Sequence, residues 1–150
     1  YAAKPLISTQ LAELKRAVGL SGEALEILRK LVDELFEPPV RSLVQYGSLL
    51  KFVGQKDLAY AVLDRAVQRY NDGLVFASED VAMVALASWL MGSFHDANSL
   101  FNEATRSNPN NLEAHVLWGD LFLEKYNAAD AERSYQDALD INSRYTGALV

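Results

Sequence analysis

The amino-acid sequence predicts an all-α fold in which antiparallel helix pairs stack side by side as a solenoid. One observation is an internal repeat. Ala24, Leu28, Leu31 recur as Ala59, Leu63, Ala66, then Ala97, Phe101, Ala104, then Ala131, Tyr135, Ala138, at spacings of 35, 38 and 34 residues. Periods of that length mark helical or other repeat architectures. A second is that each unit carries, earlier on, a large residue followed by a small one: Leu11-Ala12, Tyr46-Gly47, Val84-Ala85 and Trp118-Gly119. A third is that no stretch alternates apolar and polar residues long enough to read as a strand.

Eight helices follow in order. The first spans 5–17 and stops before Gly19, where a left-handed cap is expected. The second, 21–36, keeps Ala24, Leu28 and Leu31 on one face and ends at Pro38-Pro39. The third, 39–53, carries Leu43, Tyr46, Gly47 and Leu50 at three-and-four spacing and stops before Gly54. The fourth, 56–71, carries Ala59, Leu63 and Ala66. The loop-like Asn71-Asp72-Gly73 absorbs the extra residues of the 38-residue spacing, where insertion is cheap. For the fifth, 79–91, Ser78 is the expected N-cap, with Glu79 and Asp80 suited to the helix dipole and Gly92 beyond the end. The sixth, 94–107, ends at Asn108-Pro109. The seventh, 111–125, is expected to start with a capping box of Asn110 and Glu113. The eighth, 128–141, carries Ala131, Tyr135 and Ala138. Residues 145–150 read as the start of a ninth helix. With the opening Tyr1-Ala2-Ala3-Lys4, this suggests a single domain over 1–150 cut from a longer chain. The repeats run over about 5–37 (degenerate), 40–73, 78–111 and 112–145.

The residue types explain the pairing. Gly119 and Ala131 make room where two helices cross, and Trp118, Phe122 and Tyr135 fill the gap, so Trp118 is expected to be buried. One pair cannot bury its apolar face alone; stacking on a neighbour completes the core.

Composition narrows the function. Half of the 150 residues are hydrophobic and 23% charged, as in globular proteins, which excludes disorder. No apolar run approaches the ~20 residues needed to span a bilayer. There is no cysteine, hence no disulfide, zinc–thiolate site or thiol nucleophile, and the absence fits a reducing or an oxidising compartment alike. Residues 1–75 hold ten Lys/Arg and nine Asp/Glu; residues 76–150 hold four and eleven. A second half of net charge −7 argues against nucleic acid, whose phosphates demand Lys/Arg. It is open to two readings: a solvated acidic face, or a field favouring a basic partner segment.

No catalytic constellation is legible. His95 and His115 share no metal-ligand spacing; the first reads as a surface or cap residue and the second as packing at a helix crossing. There is no nucleophile elbow, P-loop or dinucleotide turn. Asp130, Glu132, Asp137 and Asp140 decorate one helix side rather than forming an acid–base pair. The chain is expected to be no enzyme and to hold no cofactor.

The small–large order and the ~34-residue period resemble the tetratricopeptide repeat, W-x₂-L-G-x₂-Y…A-x₃-F…P. The fourth unit fits best, with Trp118-Gly119-x₂-Phe122 and Ala131-x₃-Tyr135-x₂-Ala138, departing at His115 and Ser143. The third keeps Ala97, Phe101, Ala104 and Pro109 but has Ala85 and Ser88. The second keeps Tyr46-Gly47, Ala59 and Ala66; the first keeps little beyond Ala12 and Ala24.

The resemblance implies a right-handed superhelix whose first helices line a concave groove for a peptide or partner helix. Its inward sites fall at Thr9, Glu13 and Arg16, and at Arg41, Val44, Ser48, Lys51 and Phe52. They continue at Glu79, Ala82, Leu86, Trp89 and Leu90, and at Glu113, Val116, Asp120 and Glu124. The groove so implied is basic early, apolar in the third unit and acidic late. Sites that hold Lys, Asn and Arg in carboxylate-clamping members hold Val44, Ser48 and Leu117, so that activity is not implied. Trp89 and Phe52 can be read as groove anchors or as core. The expected function is a protein-interaction scaffold. The alternatives are a substrate-positioning module of a larger enzyme, or an architectural element that self-associates through open ends.

Overall fold

A computed structural model describes residues 3–17, 19–125 and 127–146. They form eight helices and no strand: α1 (Ala3–Ala17), α2 (Ser21–Glu34), α3 (Val40–Phe52), α4 (Lys56–Asn71), α5 (Ser78–Leu90), α6 (Phe94–Ser107), α7 (Leu112–Glu124) and α8 (Ala128–Thr146). The expected all-α helical-repeat architecture is the one present. The chain divides into two compact units, Tyr1–Asp72 and Gly73–Val150, so the boundary falls on the loop that holds the extra residues.

In the first unit α1 pairs with α2 and α3 with α4, α2 packs on α3, and α1 touches α3. Ala24, Leu28, Leu31, Leu43, Leu49, Leu50 and Leu63 are buried in its core. In the second unit α5 pairs with α6 and α7 with α8, α6 packs on α7, and α5 lies beside α7. Its core is built on Val84, Phe101, Ala104, Leu121 and Ile141.

The crossings work as their residue types require. A Cβ on Gly119 would sit 2.5 Å from Cε1 of Tyr135, and one on Gly47 would sit 2.5 Å from Cγ of Leu63. Only glycine lets these helices approach so closely. The first helices also end alike. Gly19, Gly54 and Gly92 all take φ between 86° and 90°. The next residue's N–H then returns to a carbonyl five residues back: Leu20 to Lys15 (2.8 Å), Gln55 to Leu50 (2.9 Å) and Ser93 to Ser88 (2.9 Å). This bond satisfies a terminal carbonyl, as in the Schellman motif. It recurs from Asn127 to Phe122 at 2.8 Å.

Four expectations need correction. Ser78 is not a cap. Ala77 precedes the helix, and the buried Ser78 hydroxyl donates to the Ala104 carbonyl at 2.7 Å instead. The cap of α7 is Asn111 rather than Asn110; its Oδ1 accepts from the Ala114 N–H at 3.1 Å. Asn111 also donates to Ser78 Oγ at 2.9 Å, so a buried polar chain joins α5, the end of α6 and the start of α7. Helix α8 runs on through Thr146, so residues 145 and 146 end the eighth helix rather than begin a ninth; residues 147–150 lie outside the described residues. Trp118 is half-buried, because its indole stacks on Phe122 at 5.6 Å and turns its N–H to Asn98 Oδ1 at 2.8 Å, at the edge of a cavity.

Candidate functional site

In each unit the two first helices lie side by side and carry the residues expected on the inner face. In the first unit Arg16, near the end of α1, reaches α3. Its guanidinium donates to Ser48 Oγ at 3.5 Å and lies 5.6 Å from the centroid of the Phe52 ring. Phe52 is 70% exposed, which settles its placement as surface and not core. Lys51 is also exposed, and its ammonium lies 5.9 Å from the ring centroid of Tyr60. Arg41 and Ser48 are half-buried. Glu13, exposed, accepts from the Gln45 side-chain amide. The side chain of Thr9 lies outside the described residues.

Val44 does not belong to an accessible face. It is fully buried, because α3 is packed against α1, α2 and α4 and keeps only a narrow strip for solvent. Ala82, at the same register in α5, is buried as well. Val116, at that register in α7, is 38% exposed.

In the second unit Trp89 is half-buried near the end of α5, and its indole N–H donates to the Glu124 carboxylate on α7. Leu86 and Leu90 flank it and are half-buried, while Glu79, Glu113 and Glu124 are exposed. Asp120 is half-buried and accepts from the Tyr135 hydroxyl on α8. Burial, and then the Asp120 carboxylate, push the Tyr135 phenol up to about 12. The structure therefore brings Arg16, Ser48 and Phe52 together in one unit and Trp89 and Glu124 together in the other.

Some residues carried no legible signal. Gln45 closes a cavity of about 70 Å³ with Glu13, Arg16 and Leu49, and its buried Oε1 has no hydrogen-bond partner. Leu123 is 50% exposed at the register of Trp89. Phe36 and Phe76, each in the loop after a second helix, are 95% and 81% exposed. Loop phenylalanines have no periodicity that could mark them.

No group of three or more potential metal ligands is found among the described residues. No described helix is long and apolar enough to cross a membrane. His115 is buried, with Nε2 on the Pro109 carbonyl at 2.9 Å, and His95 is exposed, as their sequence contexts suggest.

Helix pairs at a ~34-residue period, crossing at a small residue and closing on the same C-terminal motif, define a helical-repeat protein of the tetratricopeptide type. Comparison with solved structures agrees. A crystal structure of MamA superposes with a TM-score of 0.54 at 19% identity, covering 95% of this chain and 81% of that one. YrrB, described as a TPR protein with an unusual peptide-binding site, gives 0.55 at 23% identity, covering 92% and 69%. A further MamA structure, MSR-1 C2, gives 0.51 at 18% identity over 93% and 77%. At these identities the likeness is one of fold: the chain has the tetratricopeptide-repeat fold. No protein-family model matches the sequence, and no curated protein does.

Proposed function

We propose that the chain is a protein-interaction scaffold, and that the α5–α7 face of the second unit takes a peptide or helix with a basic segment. The observation that carries this reading is Trp89, half-buried beside Leu86 and Leu90 and aimed at an exposed carboxylate, Glu124. Tryptophan offers a large rigid surface with one donor, a combination enriched among binding hot spots. The same two helices carry Glu79, Glu113 and Asp120, within a unit of net charge −7. A basic residue of the partner meets the carboxylates while an apolar one covers the indole. The peptide-binding site named for YrrB supports a peptide as ligand.

The test is a screen of immobilised peptides, with the affinity of the hits followed from ~50 to ~500 mM salt. Screening shortens over that range from ~14 to ~4 Å, so affinity is expected to fall. Hits without basic residues, or an affinity indifferent to salt, count against the acidic-face reading.

Self-association has an observation of its own. Leu123 and Leu139, 50% and 60% exposed, border a cavity of about 270 Å³ on α7 and α8. Sedimentation should then show a concentration-dependent dimer that Leu139→Glu abolishes.

A further inference from the structure

We propose that the cavity between α6, α7 and α8 binds the guanidinium of an arginine presented by a partner protein. This site is separate from the α5–α7 face. Trp118 and Phe122 each lie two residues, about 200° round the helix, from Val116 and Asp120 respectively.

The cavity measures about 250 Å³, enough for one long side chain and below the usual range of small-molecule pockets (~300–1,000 Å³). One wall is aromatic. The Trp118 and Phe122 rings stack with centroids 5.6 Å apart and planes 27° apart. Asn98 accepts the Trp118 N–H at 2.8 Å, which fixes the indole and leaves its face, not its donor, for a ligand. An indole face attracts cations, arginine most often.

On α8 the cavity is lined by Asp130, Arg133, Ser134 and Asp137, and the two carboxylates differ. Asp130 is matched by Arg133 at 3.0 Å and by the Asn127 side-chain amide at 2.5 Å. Asp137 is half-exposed, and its ion-pair neighbour among the described residues is His115, whose Nδ1 lies 3.9 Å away. That nitrogen is buried without a hydrogen-bond partner. Because His115 Nε2 donates to the Pro109 carbonyl, Nδ1 is the ring nitrogen on the side of the Asp137 carboxylate. A guanidinium answers both walls at once: its plane stacks on the indole while its N–H fork meets Asp137. An ammonium is a point charge without that fork, and a neutral amide brings donors without the charge.

The experiment follows the two indole N–H resonances of the whole chain by ¹H–¹⁵N NMR, with Trp118→Phe assigning them. Three probes are titrated: acetyl-Gly-Arg-Gly-amide and its lysine and citrulline counterparts. The arginine peptide should shift the Trp118 signal saturably. Binding should be at least tenfold weaker with citrulline, weaker with lysine, and at least fivefold weaker for arginine in Asp137→Asn, a change at an exposed side chain. A response confined to Trp89 would assign the basic ligand to the α5–α7 face and overturn the proposal. So would equal binding of the citrulline or lysine peptide, an unaffected Asp137→Asn, or no saturable shift.

Discussion

In the first unit the side chain that reaches from α1 to α3 is a cation, Arg16, lying over the aromatic ring of Phe52. In the second unit the side chain at that register is the aromatic one, Trp89, and it reaches an anion, Glu124. The pairs are 36 and 35 residues apart, so the same geometry of adjacent first helices is closed by two different interactions. One is a cation–π contact and the other a hydrogen bond to a carboxylate. The scaffold sets where these positions meet and leaves their chemistry free. The first unit accordingly carries Arg16, Arg41 and Lys51 on its first helices, where the second carries Glu79, Glu113 and Glu124.

The junctions differ too. Between α2 and α3 the chain passes through Pro38-Pro39, with the Arg69 guanidinium on the Pro38 carbonyl. Between α6 and α7 the buried Ser78–Asn111 pair does the joining.

The largest expected effect tests what the units share. Gly119→Leu and Gly47→Leu drive a side chain into Tyr135 and Leu63 respectively, and each should cost about 3 kcal/mol in chemical denaturation. If one is harmless, the two crossings are not equivalent. Next comes a difference. Asn111→Ala removes a helix cap and a buried bond to Ser78, and should cost about 2 kcal/mol. Pro39→Ala should cost only about 0.4–1 kcal/mol, mainly through the unfolded chain. Equal losses would erase the contrast between the junctions.

Trp89→Ala should weaken a bound peptide by about 2 kcal/mol and stability by less than about 1.5 kcal/mol. A buried tryptophan would instead lose about 3–5 kcal/mol of stability. Phe52→Ala, at an exposed side chain, should leave stability within about 0.5 kcal/mol. The smallest effect is a titration. The folded Tyr135 phenol titrates near 12, above its ordinary value near 10. The stability it contributes is therefore complete below about pH 10 and is lost as pH rises towards 12. The difference between the wild type and Tyr135→Phe, measured by denaturant midpoints from pH 8 to 11.5, should shrink at the alkaline end.

Most helix positions were legible because they depend on local rules. A repeated Ala or Gly at the crossing, a glycine where φ must be positive and an apolar face at three-and-four spacing are each properties of a few neighbouring residues. All eight helices lie within a few residues of their expected bounds, save the end of α8. What the periodicity could not decide was which of two adjacent candidates acts. Asn110 and Asn111 are alike as residues, and the cap goes to the one whose side chain can also reach Ser78. Ser78 reads as a cap because serine favours that role, yet a buried carbonyl at Ala104 takes its hydroxyl.

The sequence alone determined the repeat, the pairing of helices and the uneven charge, since all three follow from residue order. Tertiary structure decided exposure and partnership. Val44 and Val116 are the same residue type at the same register, yet one is sealed by neighbouring helices and the other meets solvent. Trp89 and Trp118 are both half-buried, one held by a carboxylate and the other by an asparagine from the preceding pair. Burial and hydrogen bonding depend on side chains brought together from some 20 to 35 residues away. Helical periodicity places a residue on a face of its own helix; what covers that face is set only when the helices pack.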